Sequence, residues 1–198
     1  MLSAVQVPSA RHLLRTSILS CALASGAFAP KVRGQPVANT VDATEVRKQY
    51  LADLDRLTSK FVALANAFPA DKFVWRPTPQ VRSVGAVFMH VATEYYLFSP
   101  LAFGAQASPV VKMNPEDLNR FEANPTKEAV LRHLRDGAVY AKGAIEAVDA
   151  KDIGPINWFG HETTIAESST RMTADLHEHL GQLITYARMN GITPPWSK

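Results

Sequence analysis

From Asp42 to about Phe68, apolar residues recur at Val46, Tyr50, Leu54, Leu57, Phe61 and Leu64. That three-and-four spacing marks one face of a helix. Asp42 or Thr40 suits the N-cap, where a short oxygen-bearing side chain accepts from the free N–H groups of the first turn, and Pro69 marks the end. Pro69, Pro77 and Pro79 make residues 69–82 a loop that carries Trp75 and Arg76. Ser83 is the N-cap of a second helix, Val84 to about Phe98, which Ser99-Pro100 should end, because a residue before proline is pushed out of the α region. Residues 100–125 hold Pro100, Gly104, Pro109, Pro115 and Pro125 and predict loop, with one short helical turn near 115–121. A third helix, about 126–149, rests on Ala129, Val130, Leu134, Ala138, Ala141 and Ile145. Residues 150–168 read as irregular and include Trp158, Phe159, Gly160 and His161. A fourth helix runs from about Ser168 to Asn190, with Gly191 placed to close it. Nothing alternates as strands, and no repeat of about 20–50 residues is present. The pattern predicts an all-α fold, a four-helix bundle of up-down topology with long loops after helices 1, 2 and 3.

Composition alters this picture only at the N-terminus. The net charge of +3 is carried by residues 1–34, which hold Arg11, Arg15, Lys31 and Arg33 and no acid. Taking those four from 21 basic residues leaves 17 against 18 acidic, so there is no electrostatic case for nucleic acid. The same stretch reads as a secretory signal: Arg11 and Arg15 precede an apolar-dominated run from Thr16 to Ala29, followed by small residues. Cleavage after Ala29 fits Ala-Phe-Ala but puts Pro30 next. Cleavage after Gly34 is preferred, giving a signal peptide of 1–34 and a helical domain of 35–198. The run is too short for a stable membrane span. Cys21, the only cysteine, lies inside it, and Arg15 leaves almost no apolar stretch before Cys21 for a lipoprotein signal. A secreted or periplasmic protein without a stable membrane anchor is expected. Its mature chain holds no cysteine, which excludes disulfides, thiolate nucleophiles and cysteine zinc sites together.

Candidate chemistry sits on two helices. In Asp175-Leu176-His177-Glu178-His179, Asp175 and His179 stand one helical turn apart, the spacing at which two side chains on one helix hold a single transition metal ion. His177 and Glu178 point elsewhere. On the second helix, His90 lies on the Val87/Val91/Glu94 side, which should face the core. By itself it reads as a core histidine bonded to a backbone group or a tyrosine. Opposite an inward Asp/His pair, the set His90, Asp175 and His179 offers three N/O ligands for Zn²⁺, Ni²⁺ or Fe²⁺, with room for water or substrate. Glu94, one turn from His90, is open between a fourth ligand, an orienting group, a catalytic base and an ordinary exposed glutamate. His133, near Arg132 and Arg135, reads as a surface histidine and His161 as a candidate at a pocket mouth. Gln182 reads as a buried polar contact or a group that orders the site, Tyr186 as packing and Trp196 as a tail anchor. No His-Glu-x-x-His, phosphate-cradling glycine loop or Gly-x-Ser-x-Gly elbow is present, so metalloprotease, nucleotidase and serine hydrolase readings lose their main support.

Arg82-Ser83 followed by His90, then His179-Leu180-Gly181-Gln182, then Asn190-Gly191 with Pro194-Pro195 make the chain resemble the DinB/YfiT-like family of metalloenzymes over roughly residues 43–196. His90 matches the family's helix-two histidine and His179 the second member of its helix-four pair. Asp175 stands where many relatives have histidine and some related thiol-transferases a carboxylate. It lowers the formal charge of the site by one and hardens it relative to three imidazoles. The resemblance implies a bundle that is often a homodimer, with a divalent metal at one end of the core. It also implies reactions that transfer small thiols or isomerise small substrates with them. The function expected is that of an exported metal-dependent hydrolase or thiol transferase acting on a small molecule. The rival is a non-catalytic binding or structural bundle whose His/Asp set is a buried hydrogen-bond network. A small-ligand carrier using the core pocket without metal is the third reading.

Overall fold

The computed structural model describes residues 41–123 and 125–197. The leader, its cleavage point, Cys21 and the alternative cap Thr40 lie outside the described residues. In chain order the elements are α1 (Ala43–Ala67), α2 (Val84–Thr93), α3 (Ser99–Leu101), α4 (Pro115–Glu122), α5 (Lys127–Ala147), β1 (Ile156–Trp158), β2 (His161–Thr163) and α6 (Ile165–Met189). The fold is a four-helix bundle of α1, α2, α5 and α6. α1 packs against α5 and α6, and α2 against the same two, so α1 and α2 stand across the bundle from one another.

The apolar faces meet as their spacing requires. Tyr50, Leu54, Leu57, Phe61 and Leu64 of α1 are buried with Val130, Leu134, Ala141 and Ile145 of α5 and with Met172, Leu176, Leu180 and Leu183 of α6. Val84, Val87, Phe88 and Val91 of α2 complete the core. Asp42 caps α1, its Oδ1 accepting from Thr44 N–H at 2.8 Å, and the Ser83 hydroxyl caps α2 by accepting from Ala86 N–H at 3.2 Å. Gly191 adopts φ 70°, and Ile192 N–H turns back to the Ala187 carbonyl at 2.9 Å, which closes α6. Among the described residues no helix is long and apolar enough to cross a membrane.

Three local features differ from the sequence pattern. Ser99-Pro100 does not end the second helix. At Glu94, α2 widens into a π turn, Glu94–Phe98, and the chain runs on into α3. An α-helical residue at 100 would donate to Tyr96, and proline has no N–H to give. The Tyr96 carbonyl is instead taken by Ser108 N–H at 2.8 Å. Second, residues 156–163 form a hairpin with Ile156 paired to Thr163 and Trp158 to His161. Its tip, Phe159-Gly160, has φ 51° and 85°, the positive pair that a two-residue hairpin turn needs. Strands of three residues are too short to display alternation. Third, α6 begins at Ile165, because Thr164 and Glu167 supply a Thr-x-x-Glu start in which Thr164 Oγ1 accepts from Glu167 N–H at 3.2 Å. Ser168 is interior, and its hydroxyl donates to the Ala102 carbonyl at 2.7 Å.

The start of α2 is packed with little tolerance. A Cβ on Gly85 would lie 2.9 Å from Pro125 Cγ and 3.0 Å from the Phe73 carbonyl oxygen. Alanine adds roughly 1 kcal/mol of helix propensity, but overpacking against backbone costs about 1–3 kcal/mol. Gly85→Ala is therefore expected to lower the thermal midpoint. An unchanged or raised midpoint would show that the loop from Phe73 yields freely.

Candidate metal centre

Val87 and Val91 are fully buried, and the strip they define on α2 carries His90 and Glu94 inward on successive turns. From α6, the burial of Leu176, Leu180 and Leu183 turns His179 toward the same point. Glu94 Oε1 lies 3.1 Å from His179 Nε2 and 3.6 Å from His90 Nε2. The two imidazole rings are 4.8 Å apart and nearly perpendicular, at 84°. One ligand atom from each of His90, Glu94 and His179 lies within 4.8 Å of the others, so the three could hold one metal ion.

Glu94 is the unusual member. It is 0 % exposed; its Oε1 faces His179 Nε2 at 3.1 Å, and among the described residues neither oxygen has a polar partner beyond the two imidazoles. Burial raises its pKa above the usual carboxylate range; His179 and His90 pull it back, and Asp175 adds to the rise. Burial alone would lower the His179 pKa, but Glu94, Gln182 and Asp175 together hold it above its ordinary value.

Each histidine is gripped from its outer side. His90 Nδ1–H donates to Glu122 Oε1 at 2.6 Å, and Arg82 Nε–H donates to Glu122 Oε2 at 3.1 Å. His179 Nδ1–H donates to Gln182 Oε1 at 3.3 Å. Gln182 Nε2 donates to the Tyr186 hydroxyl at 3.0 Å, and that hydroxyl donates to the Arg82 carbonyl at 3.4 Å. Both outer arms therefore end on Arg82, one on its side chain and one on its backbone. With Nδ1 carrying the proton on both rings, each Nε2 offers its lone pair inward, the outer-shell arrangement of a metal-binding histidine. Burial would raise the Glu122 pKa, but His90 and Arg82 outweigh it and hold this carboxyl below the usual range.

The remaining candidates fall in different places. Asp175 Oδ1 is 3.7 Å from His179 Nε2, with its side chain 48 % exposed at the rim of the centre. His177 and Glu178 face solvent. His133 is not a free surface residue: it packs 4.8 Å from the Phe121 ring and meets the Tyr96 hydroxyl at 3.4 Å. Burial, helped by Arg132, lowers its pKa. His161 is exposed on β2. Trp196 packs on the core as a tail anchor, with Lys60 Nζ 5.5 Å from its ring centroid. Glu122 carried no sequence signal: it lies 32 residues from His90 on a short helix between loops. Arg82 and Gln182 stood out in the motifs, but their connection through Tyr186 did not.

Two imidazole nitrogens and one carboxylate oxygen around a common point are a ligand set for Zn²⁺, Ni²⁺ or Fe²⁺. The buried Glu94 carboxylate fits that reading, since a cation between it and the two imidazoles would satisfy both its charge and its lone pairs.

Residues 53–183 match the sequence model described as the DinB superfamily. Among solved structures, the fold is similar to that of a DinB-like protein from Bacillus cereus ATCC 10987. That match has a TM-score of 0.60 at 14% sequence identity and covers 76% of this chain and 97% of the other. Comparison with curated proteins gives no significant match.

Proposed function

We propose, for a chain that belongs to the DinB superfamily, that His90, Glu94 and His179 hold one divalent metal ion and that Asp175 works beside it. The observation that carries this reading is Glu94: a fully buried carboxylate with no polar partner beyond the two imidazoles among the described residues lies between their Nε2 atoms. A bound cation would supply Lewis acidity, lowering the pKa of a water or thiol and polarising a substrate group. Glu122 and Gln182 keep the Nδ1 protons in place and hold the two Nε2 atoms ready. Asp175 Oδ1, half-exposed and 3.7 Å from His179 Nε2, is placed to take up the proton that the nucleophile loses. The supported chemistry is hydrolysis of, or group transfer to, a small molecule. The leader read in residues 1–34 supports work outside the cytoplasm, and the family resemblance supports a homodimer.

Metal uptake tests the reading. The purified chain, stripped with chelator and offered Zn²⁺, Ni²⁺ or Fe²⁺, is expected to retain about one equivalent. It should also gain roughly 2.7 kcal/mol of stability when free metal is 100-fold above its dissociation constant. No retained metal and no thermal shift with any of the three would overturn it and leave the buried network.

A further inference from the structure

A cavity of about 240 Å³ opens beside the centre, lined by His90, Thr93, Phe98, Pro115 and Leu118 and by the polar Arg82, Asn119 and Glu122. Three of its polar side chains are engaged within the protein. Thr93 Oγ1–H donates to the Met89 carbonyl at 3.1 Å, Glu122 is held between His90 and Arg82, and Arg82 is held by Glu122. The stretch of wall formed by Phe98, Pro115 and Leu118 carries no charge, and burying an unpaired charge against it would be unfavourable. Asp175 and Glu178, together with Arg171, line a second hollow of about 360 Å³. Phe98 of the first cavity has its ring 5.5 Å from that of Phe159, which lines the second at the hairpin tip.

We propose that this cavity is the apolar subsite of the substrate: the molecule carries one compact group of about the size of an aromatic ring, seated against Phe98, Pro115 and Leu118, and a metal-seeking head that reaches the centre past His90. The assignment rests on the metal reading of the centre. The size follows from the volume, because a dry apolar cavity of about 150 Å³ already accepts benzene. A cavity of about 240 Å³ therefore holds a ring with a short linker. Neutrality of the seated group follows from the uncharged stretch of Phe98, Pro115 and Leu118 against which it lies. Phe159, 60 % exposed in spite of its apolar ring, extends the aromatic surface at the entrance.

Two hydroxamates that share a head and differ in the tail test this directly. Benzohydroxamate is expected to bind the zinc-loaded chain at least about tenfold more tightly than acetohydroxamate, the tail adding buried apolar surface. Leu118→Trp, which fills the cavity, should remove the difference, and zinc uptake by the variant checks that the centre is intact. If that variant does not fold, Leu118→Ala enlarges the space and should shift the preference toward naphthohydroxamate. Equal affinities in the parent chain, or a preference that survives both substitutions, would overturn the subsite. Should the chain take up no zinc, benzyl alcohol offered to the metal-free protein separates the two claims. Binding that Leu118→Trp abolishes keeps the subsite and sinks the metal centre, and no binding sinks both.

Discussion

Glu94→Gln is expected to make the metal-free protein more stable, by about 1–3 kcal/mol, while weakening divalent metal binding by at least about 100-fold. The two effects have one cause. A carboxylate that is 0 % exposed, with only the two imidazoles beside its oxygens among the described residues, is a cost to the apo fold, and the amide removes its charge. The sign of the pH dependence follows. The folded-state pKa of Glu94 is raised, so the folded protein binds more protons than the unfolded chain and stability falls as pH rises from about 4.5 through that pKa. His179, also raised, acts in the same direction above about 6.5. Metal binding competes with those protons, so its affinity should increase over the same range. Glu94→Gln should flatten the lower part of the apo stability curve. Thermal melts across pH, with and without Zn²⁺, check all of this. A destabilised variant would instead identify Glu94 as a working member of a hydrogen-bond network.

Glu122→Gln should weaken metal binding by about 10–100-fold, the usual effect of losing an outer carboxylate on a ligating histidine. Glutamine can still accept from His90 Nδ1–H but no longer makes the ring a stronger base, and Arg82 loses its charged partner. The effect on folding should stay small, because the Arg82 side chain is 46% exposed and its pairing is screened by solvent. Isothermal titration with Zn²⁺ separates the outcomes. Unchanged affinity would mean that the 2.6 Å contact only seats α4 on α2.

The bundle was legible because four apolar stripes, each sustained over several turns, leave little choice of face. Its boundaries were legible where one residue decides them, as with Asp42, Ser83 and Gly191. The π turn was hidden because it depends on Ser108 reaching back to the Tyr96 carbonyl, a contact no local pattern encodes. The centre was half visible for a related reason. Two carboxylates stand one turn from a histidine, Glu94 after His90 and Asp175 before His179. Which of them is enclosed depends on how α2 and α6 are rotated against each other, and that is set by the packing of both helices. The structure encloses Glu94 and leaves Asp175 at the rim. Glu122 reaches His90 from α4, so only the folded chain reveals it.

His90 and Glu94 share one helix, so their spacing is fixed by a pitch of about 5.4 Å and hardly responds to anything else. Glu94 is anchored further by its own peptide, whose N–H bonds back to the His90 and Val91 carbonyls while its carbonyl receives Ser99 N–H. Only His179 arrives from another element. The gap that an ion must fit is therefore the distance between α2 and α6, and that distance is gauged by Val87, Val91, Leu180 and Leu183. Preference between a smaller and a larger divalent ion becomes a property of aliphatic side-chain volume in the core. It can drift by a methyl group at a time with every donor atom left unchanged.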